Sequence, residues 1–186
     1  MKRTIGALRV AAVLGGALVL SGCSLFGGKV DQGMSEEMKQ KCPPVGIVAF
    51  TGQVTRFAGV GRLAQDVALR AEITNLKVAC VNSEDKGAVN ARITFDVVAE
   101  RGPASSESGA ALQYFVAITP DSKTVAKKDV YDSAHSFGSN GISTSSETID
   151  AVVPLKGEEI PYEEILIGLQ LTREELGYNI ARAGVR

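Results

Sequence analysis

The chain has no tryptophan, a single histidine, three cysteines and only 5% aromatic residues, and each scarcity removes a class of function. Surfaces that hold sugars or stack nucleic-acid bases are built on exposed aromatic platforms, so both lose support. A tetrahedral metal cage needs clustered Cys and His ligands; His135 is the lone histidine, no CxxC spacing occurs, and no DxDxDG loop offers calcium a site. No metal and no cofactor is therefore expected. With 20 basic and 21 acidic residues the formal net charge is −1, without a basic stripe, so nucleic acid is not an expected partner.

What is present begins at the N-terminus. Lys2, Arg3 and Arg9 precede Val10 to Leu20, an uncharged run of Val, Ala, Leu and Gly, which is the layout of a signal peptide with a basic n-region and a short apolar h-region. A permanent membrane helix over Val10 to Gly28 is the competing reading. The glycines at 15, 16, 22, 27 and 28 make it a poor helix, and no positive cluster follows to stop transfer.

The stretch Leu20, Ser21, Gly22, Cys23 resembles the lipobox of bacterial lipoprotein precursors: an aliphatic residue, two small residues and cysteine. The resemblance covers only the first two dozen residues. It implies that the Cys23 thiol takes a diacylglycerol, that signal peptidase II removes residues 1–22, and that the new amino group is acylated with a fatty acid such as palmitate. Several chains hold a protein on a bilayer where one is marginal. Ser24, rather than Asp, follows the cysteine, which in enterobacterial lipoproteins goes with transfer to the outer membrane. The expected location is the cell envelope, lipid-anchored to the outer membrane and facing the periplasm, with inner-membrane retention left open. Loss of residues 1–22 removes three positive charges and no negative one, taking the chain from −1 to −4 with 164 residues left, enough for one domain with a sizeable core.

With Cys23 lipidated, Cys42 and Cys80 remain as a candidate disulfide in an oxidising compartment, two buried free thiols being the alternative. Residues 23–44 then read as a lipidated N-terminus and flexible tether, with an r.m.s. reach of about 25 Å, in which SEEMKQK offers at most one helical turn.

From Val45 the apolar period becomes two. VGIVAFT at 45–51 is β-branched and aromatic. Val67, Leu69, Ala71 and Ile73 share one face, and the pattern then slips to Leu76, Val78 and Cys80, which predicts a bulge near Thr74 and Asn75. SEDKG at 83–87 connects to an alternation of Val89, Ala91, Ile93, Phe95 and Val97. Leu112, Tyr114, Val116 and Ile118 repeat it, and PDSK turns the chain into TVAKKDVY. Asn140 and Gly141 suit a type I′ hairpin leading into ISTSSETIDAVVPL. Ile165, Ile167, Leu169 and Leu171 mark the last strand, and Thr172 with Glu175 forms a capping box for a closing helix, REELGYNIAR. Residues 62–72 also fit a helical stripe, with strand favoured from Val67 onward. Seven or eight short strands over 45–186 predict one all-β domain, an antiparallel, immunoglobulin-like β-sandwich with a short C-terminal helix; a small β-barrel is the alternative.

Four constellations invite a chemical reading. Gly59 to Ala64, GVGRLA, matches the dinucleotide fingerprint GxGxxA but lacks the βαβ context, so a glycine bend is expected. Ser83 to Lys86, SEDK, has SxxK spacing in a polar turn without its companion motifs. His135 has Ser133, Ser136, Asp129 and Asp132 nearby, yet there is no GxSxG elbow and a loop histidine is expected. The pairs Glu158 and Glu159, Glu163 and Glu164, Glu174 and Glu175 read as solubilising charges. Tyr131, Phe137, Tyr162 and Tyr178 are expected in core packing, with an interaction patch as the alternative. The expected function is a non-enzymatic lipoprotein that binds an envelope protein partner or supports envelope assembly. A lipid or cell-wall-fragment binding module, with a cavity at Leu112, Tyr114 and Phe95, is the second reading, and a hydrolase centred on His135 the third.

Overall fold

In the computed structural model the described residues are 29–30, 33–84, 87–120, 124–156, 160–161 and 164–184. The signal peptide, the lipobox and Cys23 lie outside them, as do Asp85 and Lys86 of SEDK, the Glu158 and Glu159 pair, Tyr162 and Glu163. No helix among the described residues is long and apolar enough to cross a membrane.

Two sheets face each other as a β-sandwich. The first has β4 (Val67–Asn82), β5 (Ala88–Arg101), β8 (Ile142–Lys156) and β9 (Ile160–Pro161) in that order. Along the free side of β4, β3 (Gln53–Phe57) pairs with its first half and β1 (Lys29–Val30) with its second. The second sheet runs β2 (Val45–Ile47), β10 (Glu164–Leu169), β6 (Gly109–Thr119), β7 (Lys127–Ser136). A helix of six residues, α1 (Glu36–Lys41), precedes β2, and α2 (Arg173–Arg182) closes the chain. Val89, Ile93, Val97, Ile165 and Ile167 are fully buried between the sheets, on the faces the alternation predicts.

The phase slip in β4 is real. Its pairing with β5 shifts between Thr74 and Lys77, and Asn75 sits in the left-handed region at φ 54°. Asn tolerates that region better than a β-branched residue would. The shift carries the apolar face from Ile73 to Leu76, and all of Leu69, Ala71, Ile73, Leu76, Val78 and Cys80 stay buried. Residues 64–66 form one 3₁₀ turn and β4 starts at Val67, so the strand reading of that segment holds. The capping box is also present: the Thr172 N–H donates to Glu175 Oε2 at 2.7 Å, and the Glu175 N–H to Thr172 Oγ1 at 3.2 Å.

Three expectations are corrected. Asn140 and Gly141 do not turn a hairpin, because β7 pairs with β6 and β8 pairs with β5 in the opposite sheet. The Gly141 N–H donates to the Gly138 carbonyl at 3.0 Å with only Gly141 at positive φ, 72°, so this is a type I turn ending on glycine, used to cross between sheets. The segment expected as a flexible tether, 23–44, contains ordered elements: it is paired at β1, helical in α1 and buried at Cys42. Partial burial of Met38 in α1, and of Met34 just before it, against the core stabilises a helix too short to persist alone. Finally, β7 extends to Ser136, so His135 lies on a strand and not in a loop.

Candidate functional site

The N-terminal segment is fastened at three points. β1 pairs in parallel with β4 at Lys77 and Val78. The Cys80 N–H donates to the Met34 Sδ at 2.9 Å. Cys42, directly after α1, is joined to Cys80 by a disulfide with sulfurs 2.07 Å and Cα atoms 5.6 Å apart. Ser35 caps α1 by accepting from the Met38 N–H, Lys39 and Lys41 pair with Glu36 and Glu37 on the solvent side, and the methionines face the core. Force applied at the N-terminus is therefore delivered to β4 through a covalent bond.

The second feature is a polar cluster between the sheets. The register of β6 on β7, Tyr114 opposite Tyr131 and Leu112 opposite Ser133, turns Tyr114, Ser133 and His135 inward. From β8, Ser145 and Glu147 meet them. Glu147 is the hub. Its Oε1 accepts from the Ser133 hydroxyl at 2.9 Å and the Ser145 hydroxyl at 2.7 Å, and its Oε2 from the Tyr114 hydroxyl at 3.1 Å. His135 Nε2 lies 3.2 Å from Ser133 Oγ. Ser133 has one proton and gives it to Glu147, so Nε2 carries a hydrogen and donates to Ser133. Nδ1 is buried and has no hydrogen bond of good geometry among the described residues.

This order, imidazole to serine to carboxylate, is not that of a nucleophilic triad, in which imidazole stands between serine and acid and takes the serine proton. Ser133 and His135 are 2% and 4% exposed, so both are closed off from solvent. Of the acids close in sequence, Asp132 accepts from Gln113 at 2.8 Å and Asp129 pairs with Lys127 at 2.9 Å, both away from the imidazole. Ser133 and His135 were nameable from the sequence; Glu147 was missed. Its signal was a carboxylate in the same alternation phase as Ile149 and Val153, the core-facing positions of β8.

Burial lowers the His135 pKa below its ordinary 6.5, against the opposing pull of the Glu147 charge and the Ser143 backbone. Burial also raises that of Tyr114, helped by Glu147, whose carboxylate disfavours a neighbouring phenolate. For a histidine depressed in this way the unfolded chain binds the proton first, so stability is lost as pH falls through the ordinary histidine range. Thermal melts should therefore show the midpoint rising from about pH 5 to pH 7.5, with the slope reduced in His135→Gln. The carboxylates Asp96 and Asp150, held low by hydrogen bonds from Asn75 and Arg92, act only at lower pH, as those bonds are lost below the ordinary carboxylate range.

No family model, curated protein or solved structure matches this chain. Function must be read from its own residues. Phe95, Leu112 and Tyr114, where the alternative reading as a ligand-binding module requires a cavity, are packed: the Phe95 and Tyr114 rings meet edge to face at 5.1 Å, and Tyr131 stacks on Tyr114 at 5.3 Å. Three shallow depressions of about 420, 390 and 270 Å³ lie elsewhere, none lined by those residues. The GVGRLA stretch links antiparallel β3 to β4, with Arg62 over the Phe57 ring and paired with Glu174, so no helix N-terminus awaits a pyrophosphate. Glu175 pairs with Arg56 at 2.9 Å, joining α2 to β3. Among the described residues no cluster of His, Cys, Asp or Glu could hold a metal ion.

Proposed function

We propose that the chain is a lipid-anchored, non-enzymatic protein of the bacterial envelope, whose sandwich domain is held at the outer membrane, faces the periplasm and binds a protein partner. The observation that carries this reading is the pairing of Cys42 with Cys80. It uses two of the three cysteines in a bond suited to an oxidising compartment and leaves Cys23, inside the lipobox, as the remaining thiol. The closed geometry at Ser133, His135 and Glu147 supports a role without catalysis. Strand β7 supports partner binding: it has ten residues, pairs only with β6 among the described residues, and leaves an open edge for strand addition beside the half-exposed Val130.

The test is intact mass and fractionation. The protein from membrane fractions should have the mass of a chain starting at Cys23 plus a diacylglyceryl group and an amide-linked acyl chain. Cys23→Ser should remain at precursor mass, carry no fatty acid and lose its normal fractionation. An unmodified Cys23 in the membrane-derived protein overturns the reading. A photo-reactive residue at position 130 should capture the partner in living cells.

A further inference from the structure

The proposed anchor and the observed fold together constrain how the domain lies. Five residues, 24 to 28, separate Cys23 from Lys29, where pairing with Lys77 begins. Fully extended, that link spans about 20 Å, and β1 is seated on the edge of β4, not at a loop end. Immediately beyond that pairing, on the outer face of the same sheet, Ala79 and Val81 of β4, Asn90 and Arg92 of β5, and Asp150 and Val152 of β8 line a depression of about 390 Å³. Val81 and Val152 are 61% and 63% exposed. The only charges in it cancel: Arg92 Nε and a terminal guanidinium nitrogen donate to the two oxygens of Asp150 at 2.7 and 3.1 Å. The two valines present apolar surface to water, and the paired Arg92 and Asp150 beside them add no net charge.

From this placement we infer that the Val81 and Val152 face rests on the lipid bilayer that carries the anchor, so that the outer face of the other sheet points away from the membrane. The inference rests on lipidation of Cys23. A link of five residues keeps this face within one short step of the acyl chains, and the apolar burial adds to the hold of the lipids.

The absence of tryptophan supplies the assay. Val152→Trp places one indole on this face, and Val130→Trp places one on the outer face of the opposite sheet as control. Each full lipidated protein, with unchanged melting temperature, is reconstituted into vesicles of phosphatidylethanolamine and phosphatidylglycerol containing brominated phosphatidylcholine. Expected is a blue-shifted emission at position 152 with quenching several-fold greater than at position 130. Equal quenching of both, or none at 152, overturns the orientation while mass spectrometry shows Cys23 acylated. A blue shift at 152 without bromine quenching, dependent on protein concentration, assigns the face to a second copy and also overturns it. If Cys23 proves unmodified, the anchor reading has failed, and the orientation falls with it.

Discussion

Cys42→Ser combined with Cys80→Ser lowers the free energy of unfolding by about 3–4 kcal/mol, the chain-entropy value for closing a loop of this length. The bond spans 38 residues. At the size of this domain the change corresponds to a fall of roughly 10 °C in the melting midpoint. Calorimetry of the double variant, and of the wild-type protein with and without reductant, measures it; equal midpoints for all would mean that the bond contributes nothing. The loss is local before it is global. Of the three fastenings that hold the N-terminal segment on β4, only this one is covalent, and α1 has no buried residue of its own. Hydrogen exchange should show the amides of Met38 to Cys42 losing protection first. Reduction leaves the segment before β2 held on β4 by β1 and the Met34 contact alone.

A comparable effect is expected from Phe95→Ala, about 3–5 kcal/mol, the range for emptying an aromatic site in a core that cannot collapse around it. Phe95 is 2% exposed and lies on the central strand β5, paired on both sides by β4 and β8. Its ring meets Tyr114 of the opposite sheet edge to face, so the deletion removes a contact between the sheets as well as apolar area. Urea unfolding should show a lower midpoint at an unchanged slope. Tyr114→Phe separates packing from hydrogen bonding: it keeps the ring and removes one donor to Glu147, and should cost about 1 kcal/mol. A loss in Tyr114→Phe as large as in Phe95→Ala would make the polar cluster, and not the aromatic contact, the main tie between the sheets.

The polar cluster shows where sequence reading stops. Alternation marked the inward residues of β5, such as Val89, Ile93 and Phe95, but it placed His135 in a loop and did not single out Glu147. It could not say that β7 and β8 belong to opposite sheets, because Asn140 and Gly141 carry a turn preference that serves a hairpin and a crossing equally well. Only the pairing of β7 with β6, and of β8 with β5, brings Glu147 over Ser133. The same limit applies to the N-terminal segment. Polar composition and two prolines at 43 and 44 read as a tether, whereas Met34, Met38 and Cys42 find burial only once β4 is in place.

The amino-acid sequence by itself determined the buried faces of β4, β5 and β10, the bulge at Asn75 and the cap of α2, since these follow from local sterics and a period of two, and it offered Cys42 and Cys80 as a candidate pair. The tertiary structure alone decided which strands are neighbours, that β1 lies parallel on β4, that a serine bridges imidazole and carboxylate, and that Val81 and Val152 lie beside the chain's entry into the fold. Those arrangements depend on contacts between residues far apart along the chain, whose energies a single local stretch does not contain.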